Sequence, residues 1–344
     1  MIKSLEFKTF VCCLTVFICI CTGLICGCTG QANEIKQKQV DRWGDFPAST
    51  VVSDNQNSLN SPSPSGNLES TAGRQVNLAS SLTKRRLSKF VSSEAVIEGQ
   101  SFTNFLGIKM VWINSGSFTM GRNNTPQRMK IAVNATWPER EVKVKNGFWI
   151  AQSEITQKQY KALWGSNPSH FKGNFNPVDS VSWKEALQFC QLMTERQSEI
   201  DIVELGSGQN LTYELPSEAQ WEYACRAGTK GIFYGKQLPE LAWYFPNSKN
   251  TTHQVMTKAS NAWLLYDMLG NVEEWCSDKF AHTYDGAPSD GSSQQNVSTL
   301  RKSVRGGSYV SRYVKEISTS SRKGAGPSYR YNTIGFRPVM VFSR

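Results

Sequence analysis

The sequence predicts an α+β fold over residues 101–344, with short strands, a few helices and much irregular chain, after a disordered stalk. Three observations carry this. Strand-like runs crowd the start of the region; three helix starts follow, each marked by its own capping pair; and the region is dense in aromatic side chains. With 11% aromatic and 39% apolar residues in 344, the chain is not disordered throughout.

Taken in order, Lys109–Ile113 and Gly116–Gly121 read as two short strands joined by a turn, and Gly147–Ile150 as a third. Thr156 with Gln159 forms a capping box for a helix carrying Tyr160, Leu163 and Trp164, stopped at Gly165. Ser182 with Glu185 opens the next, and Trp183, Ala186, Leu187, Cys190 and Met193 fall along one face of it. Ser217 with Gln220 opens a third, ended by Gly228. Cys190 and Cys225 read as buried structural thiols, because no histidine lies near either in sequence.

Before this region the composition changes twice. Six of the nine cysteines fall within the first 28 residues, in a segment where Lys3 and Lys8 precede an apolar run from about Thr9 to Ile25. Residues 1–27 read as a lipoprotein-type signal peptide, cleaved to leave Cys28 for acylation. An uncleaved membrane anchor and an ordinary secretory signal are the other readings. All three place the rest of the chain outside the cytoplasm, and the first anchors it to a bacterial membrane, at the outer membrane or cell surface. Residues 28–100 are rich in Ser, Asn and Gln and contain Ser61-Pro62-Ser63-Pro64-Ser65-Gly66, so they read as a lipid-anchored flexible stalk. Within it, Leu82–Phe90 has the pattern of a short basic amphipathic helix.

Charge is equally uneven. The chain carries a net +10, of which the last 44 residues hold +9, from ten Lys/Arg and the single acid Glu316. A nucleic-acid binder would not confine its charge so sharply, so the expected partner is an anionic glycan or an anionic protein surface, with no nucleic acid. A solvated face is the bland alternative. The three histidines, His170, His253 and His282, lie far apart without ligand spacing, which disfavours a histidine metal centre.

Ordered motifs then carry a family resemblance. Val111-Trp112-Ile113 with Gly116–Gly121, Glu154-Ile155-Thr156, Pro177-Val178 with Val181-Ser182-Trp183, and Leu215–Ala224 are followed by Tyr266–Trp275, Arg305-Gly306-Gly307-Ser308-Tyr309 and Gly335-Phe336-Arg337. This series resembles the formylglycine-generating enzyme, or sulfatase-modifying factor, family over roughly residues 104–342. The resemblance implies a C-type-lectin-like fold.

It also implies a calcium site at Asp267, Gly270, Val272 and Glu274, the middle two acting through carbonyls. The residues agree, since two carboxylates around a tight turn offer the hard oxygens that Ca²⁺ prefers. The alternative is that both acids pair with arginines or cap backbone amides. For catalysis the resemblance implies a copper-binding cysteine pair soon after Gly306-Gly307-Ser308-Tyr309. No cysteine follows Cys276: Ser311 stands at the first position and Glu316 close to the second. Copper is therefore not expected, and Ser308, Ser311 and Glu316 are degenerate positions. The family's C-terminal disulfide partners are missing as well, leaving Cys190, Cys225 and Cys276 free or joined among themselves.

What remains is a basic, Tyr- and Ser-rich segment expected to bind ligand through Tyr309, Ser311, Arg312, Tyr313, Lys315, Arg322, Lys323, Tyr329, Arg330 and Tyr331, with Ser318, Thr319 and Ser320 adding hydroxyls. Its placement also resembles the variable region of diversity-generating-retroelement target proteins. The expected function is that of a lipid-anchored, extracytoplasmic binding protein with a catalytically silent domain. The alternatives are an enzyme using non-cysteine residues of the same groove and a structural envelope lipoprotein.

Overall fold

The computed structural model describes residues 100–122, 138–201 and 211–342, apart from the side chains of 198–201. The expected signal peptide with Cys28, the stalk and the Leu82–Phe90 helix lie outside the described residues. Strands β1 (Ser101–Thr103), β2 (Lys109–Ile113), β3 (Gly116–Met120), β4 (Arg140–Val144) and β5 (Phe148–Ala151) come first. Helices α1 (Gln157–Trp164) and α2 (Trp183–Asp201), strand β6 (Leu211–Glu214) and helix α3 (Glu218–Arg226) follow. Two single-turn helices come next, α4 (Leu238–Leu241) and α5 (Phe245–Ser248). The last part holds β7 (Glu273–Lys279), β8 (Lys302–Arg305), a 3₁₀ turn (Val314–Glu316), β9 (Arg322–Ala325), β10 (Ile334–Gly335) and β11 (Val339–Phe342).

The helix starts are built as their sequence dictates. Both halves of the capping box form at Thr156/Gln159 and at Ser217/Gln220, and at Ser182/Glu185 the Oγ and Oε2 atoms satisfy each other's backbone N–H. Gly165 closes α1 in the left-handed conformation, at φ 86°. Helix α3 ends one residue earlier than expected, because Ala227 itself takes the left-handed cap and Gly228 continues it.

The strands pair differently from their order in sequence. A five-stranded sheet runs β1-β2-β5-β11-β6, a four-stranded sheet runs β10-β7-β8-β9, and β3 pairs with β4 alone. The adjacent strands β2 and β3 are thus in different sheets. Alternation explains the burial of β2 on both faces: Met110 and Trp112 enter one core with α1 and α2, while Val111 and Ile113 enter a second with α3. On α2, Ala186, Phe189, Cys190 and Met193 are fully buried. Cys190, Cys225 and Cys276 are buried free thiols, which settles the open alternative in favour of no disulfide among them. Burial pushes all three thiols up, away from thiolate reactivity.

Candidate functional site

The four-stranded sheet assembles the site through its register. Glu274, Arg305 and Arg322 are cross-strand partners on β7, β8 and β9, so their side chains share the face that α3 covers. There Arg305 Nε stands 3.0 Å from Glu218 Oε1 and its Nη2 2.9 Å from Glu222 Oε2. Arg322 takes both oxygens of Glu218 and lies over the rings of Phe280 and Tyr284. Arg226, one turn beyond Glu222, completes this dry ionic network.

This corrects the expected binding face. Arg322 is a buried strut at 3% exposure, and Tyr309, Ser311, Ser318, Thr319 and Ser320 are buried too. The chain turns inward here because its polar groups find partners inside. Thr319 donates to Gly231 O, Ser318 and Ser321 bond each other, and Ser248 Oγ donates to Tyr309 O. Nor is the C-terminal +9 a +9 surface. Arg305, Arg322, Lys323, Arg330 and Arg337 pair with Glu218, Glu222, Glu273, Glu185 and Glu274, acids from earlier in the chain. Counting charge along a segment missed partners that the fold brings from elsewhere.

The residues left outward are Arg312, Tyr313, Lys315, Tyr329, Arg330 and Tyr331, with Lys323 half-buried; Arg330 pairs with Glu185 and Lys323 with Glu273. Tyr329 and Tyr331 lie against each other, 5.7 Å between ring centres. Arg312 stacks on Phe245, 3.8 Å from the ring centre, an anchor from α5 that the sequence did not signal.

Beneath this rim is a groove of about 480 Å³ lined by Gly307, Ser308, Ser311, Arg312, Lys315, Glu316 and Lys323, with Glu273 in its wall. The three degenerate positions thus line one groove, and two of them, Ser311 and Glu316, accept from backbone N–H groups. Ser311 Oγ accepts from Ser308 N at 3.0 Å, and Glu316 Oε2 accepts from Arg312 N at 2.8 Å and from Tyr313 N at 3.3 Å. Gly307 makes the tight approach possible: at φ 73°, a Cβ there would meet Glu316 O at 2.5 Å.

The Asp267–Glu274 turn runs into β7, beside β8, and Glu273 near its end stands in the groove wall. Gly270, at φ 83°, packs its Cα against Trp243, where a Cβ would stand 2.3 Å from the carbonyl oxygen. Glu274 is fully engaged by Arg337 Nε and Nη2 and by Trp221 Nε1 at 2.7 Å. Asp267 accepts from Met256 N, and Glu154 accepts from Val272 N and Asn271 Nδ2. Glu154, Asp267 and Glu274 are buried with Arg337 as their buried counter-charge. Burial raises the Asp267 carboxyl to about 6, and burial together with Asp267 and Glu274 raises Glu154.

The sulfatase-modifying factor enzyme 1-like domain matches residues 98–341, most of the chain. The chain belongs to this family. Among relatives, the chaperone protein LppX of Paenibacillus barcinonensis is 32% identical over 178 residues, covering 39% of this chain and 63% of that protein. The formylglycine-generating enzyme of Streptomyces coelicolor is 27% identical over 218 residues, 57% of this chain and 59% of that one. The matched region thus spans about three fifths of each of these curated relatives.

Two solved structures of similar shape cover almost their whole length. PvdO from Pseudomonas aeruginosa superposes with TM-score 0.61 at 26% identity, over 72% of this chain and 99% of its own. The Treponema denticola variable protein 1 does so with TM-score 0.59 at 25% identity, over 70% and 98%. The sulfatase-modifying-factor fold expected from the motifs is the fold observed. No helix among the described residues is long and apolar enough to cross a membrane.

Proposed function

We propose that this chain is a binding protein of the sulfatase-modifying factor family, held outside the cytoplasm by a lipid on Cys28, whose domain has kept the family's groove and lost its oxidase chemistry. One observation carries the reading: the groove positions where the resemblance calls for two thiolates hold Ser311 and Glu316, and both side chains accept from backbone N–H groups, Glu316 through Oε2. A hydroxyl and a carboxylate are poor ligands for Cu(I), which takes soft thiolates. A serine enzyme is disfavoured as well. Such a nucleophile needs a base within reach, and Glu316 is turned to Arg312 N while His253 is turned to Ser248 O.

The ligand is anionic and meets Arg312 and Lys315 at the rim, with Tyr313, Tyr329 and Tyr331 as stacking surface. Likeness to the Treponema denticola variable protein 1 supports a diversified face drawn from these exposed residues, not from the buried ones.

Calcium at the Asp267–Glu274 turn would have to displace Arg337 and Trp221 from Glu274, since no group of three or more acids placed to hold a metal forms among the described residues. Three buried carboxylates face one buried guanidinium, and a hard divalent cation would offset that excess. Asp267 and Glu274 would hold it with the Gly270 and Val272 carbonyls, locking the turn that positions Gly306 through the Gly270 N to Gly306 O bond.

The reading is tested by incubating the purified chain and copper with a sulfatase-type cysteine peptide. Mass spectrometry should find the thiol intact; an aldehyde in its place would restore the oxidase.

A further inference from the structure

The groove contains a carboxylate that the fold leaves nearly without partners. Adjacent strand residues point to opposite faces, so Glu274 enters the Arg337–Trp221 cluster while Glu273 turns to the groove. Its side chain is 8% exposed, yet its one ion-pair partner among the described residues is Lys323, whose Nζ stands 2.5 Å from Oε2. A carboxylate can accept about four hydrogen bonds. The other buried acids are better supplied. Glu218 has two arginines, and Glu222 has two arginines and Gly121 N. Asp278 has Glu218 N and Gln294 N.

Lys323 is an exchangeable partner. Its side chain is 42% exposed, and a lysine on four rotatable bonds swings into solvent at little cost. A buried acid with a single loose cation is a poor internal contact and a good external one, because an incoming ammonium would add hydrogen bonds that Lys323 does not make.

We propose that Glu273 is the specificity-determining residue of the groove and that the ligand is a zwitterion, its ammonium taking the place of Lys323 on Glu273 while its anionic group meets Arg312 and Lys315. The inference rests on the groove being the binding site, and it adds to the anionic group expected at the rim an ammonium beside it. That chemistry occurs in free phosphoethanolamine-type molecules and in an ethanolamine lipid headgroup.

The test is calorimetric titration of the full chain in detergent with O-phosphoethanolamine and with inorganic phosphate, in wild type, Glu273→Gln and Lys323→Met. The zwitterion should bind about tenfold more tightly than phosphate in wild type, with equal affinity for the two in Glu273→Gln and a larger ratio in Lys323→Met. A ratio unchanged by Glu273→Gln, or lowered by Lys323→Met, overturns the inference. Binding of phosphate alone also overturns it and leaves the groove as an anion site; binding of neither removes the groove reading too. Where the zwitterion binds, competition by phosphatidylethanolamine vesicles assigns the lipid headgroup as its source, and lack of competition assigns the soluble molecule.

Discussion

Asp267 shows how one residue can carry a structural claim. It sits at φ 54°, buried, with a carboxyl raised by desolvation and a single backbone donor on Oδ2. Those are the properties of a group that lacks a counter-charge of its own. A cation bound only by the native state adds RT ln(1 + [L]/Kd), so millimolar calcium at a micromolar site should add about 4 kcal/mol. The melting temperature of wild type should therefore rise with calcium and that of Asp267→Ala should not. An equal rise in both would place any calcium elsewhere. Glu274 was legible as a ligand position within the Tyr266–Trp275 motif, whereas its neighbour Glu273 in the same motif carried no role, because two adjacent acids look alike until alternation sends them to opposite faces.

At the scale of elements, β7, β8, β9 and α3 form one unit joined by buried charge. Arg322 was expected on a ligand face because its neighbours are basic and hydroxylic. It is instead the strut between β9 and α3, and only the pairing of residues 104 apart in sequence reveals that. Removing one partner of a buried pair strands the other, at a cost of about 3–5 kcal/mol. Arg322→Ala should thus lower stability by that amount in urea unfolding, while Arg312→Ala, on an exposed side chain, should change it by about 0.5 kcal/mol or less. Equal small losses would mean that Arg322 faces solvent. The helices, by contrast, were readable from their capping boxes, since those are local chemistry. The sheets were not, since β2 and β3 adjoin in sequence and separate in space, and β11 closes the first sheet from the far end of the chain.

For the whole molecule, the proposed lipid anchor and the proposed binding groove are tested separately. Anchoring is tested at Cys28: Cys28→Ala should release the chain from membranes or leave it unprocessed, and Cys26→Ala should matter less. Unchanged mass and membrane retention in Cys28→Ala would mean an uncleaved anchor. The family and fold were legible because ordered motifs lie along most of the domain. The ligand face was legible only in part, because half of the basic residues in the last 44 are neutralised by acids that the fold supplies.

The most direct measurement is the affinity of the full chain for a sulfated glycan, heparin, as salt is raised and with Arg312 and Lys315 neutralised together. Exposed charges are screened beyond about 8 Å at physiological ionic strength. Binding that falls steeply with salt and is lost in Arg312→Gln/Lys315→Gln, with the fold intact, is the result the account predicts. Binding indifferent both to salt and to that double variant would contradict it and move recognition away from the groove and its rim.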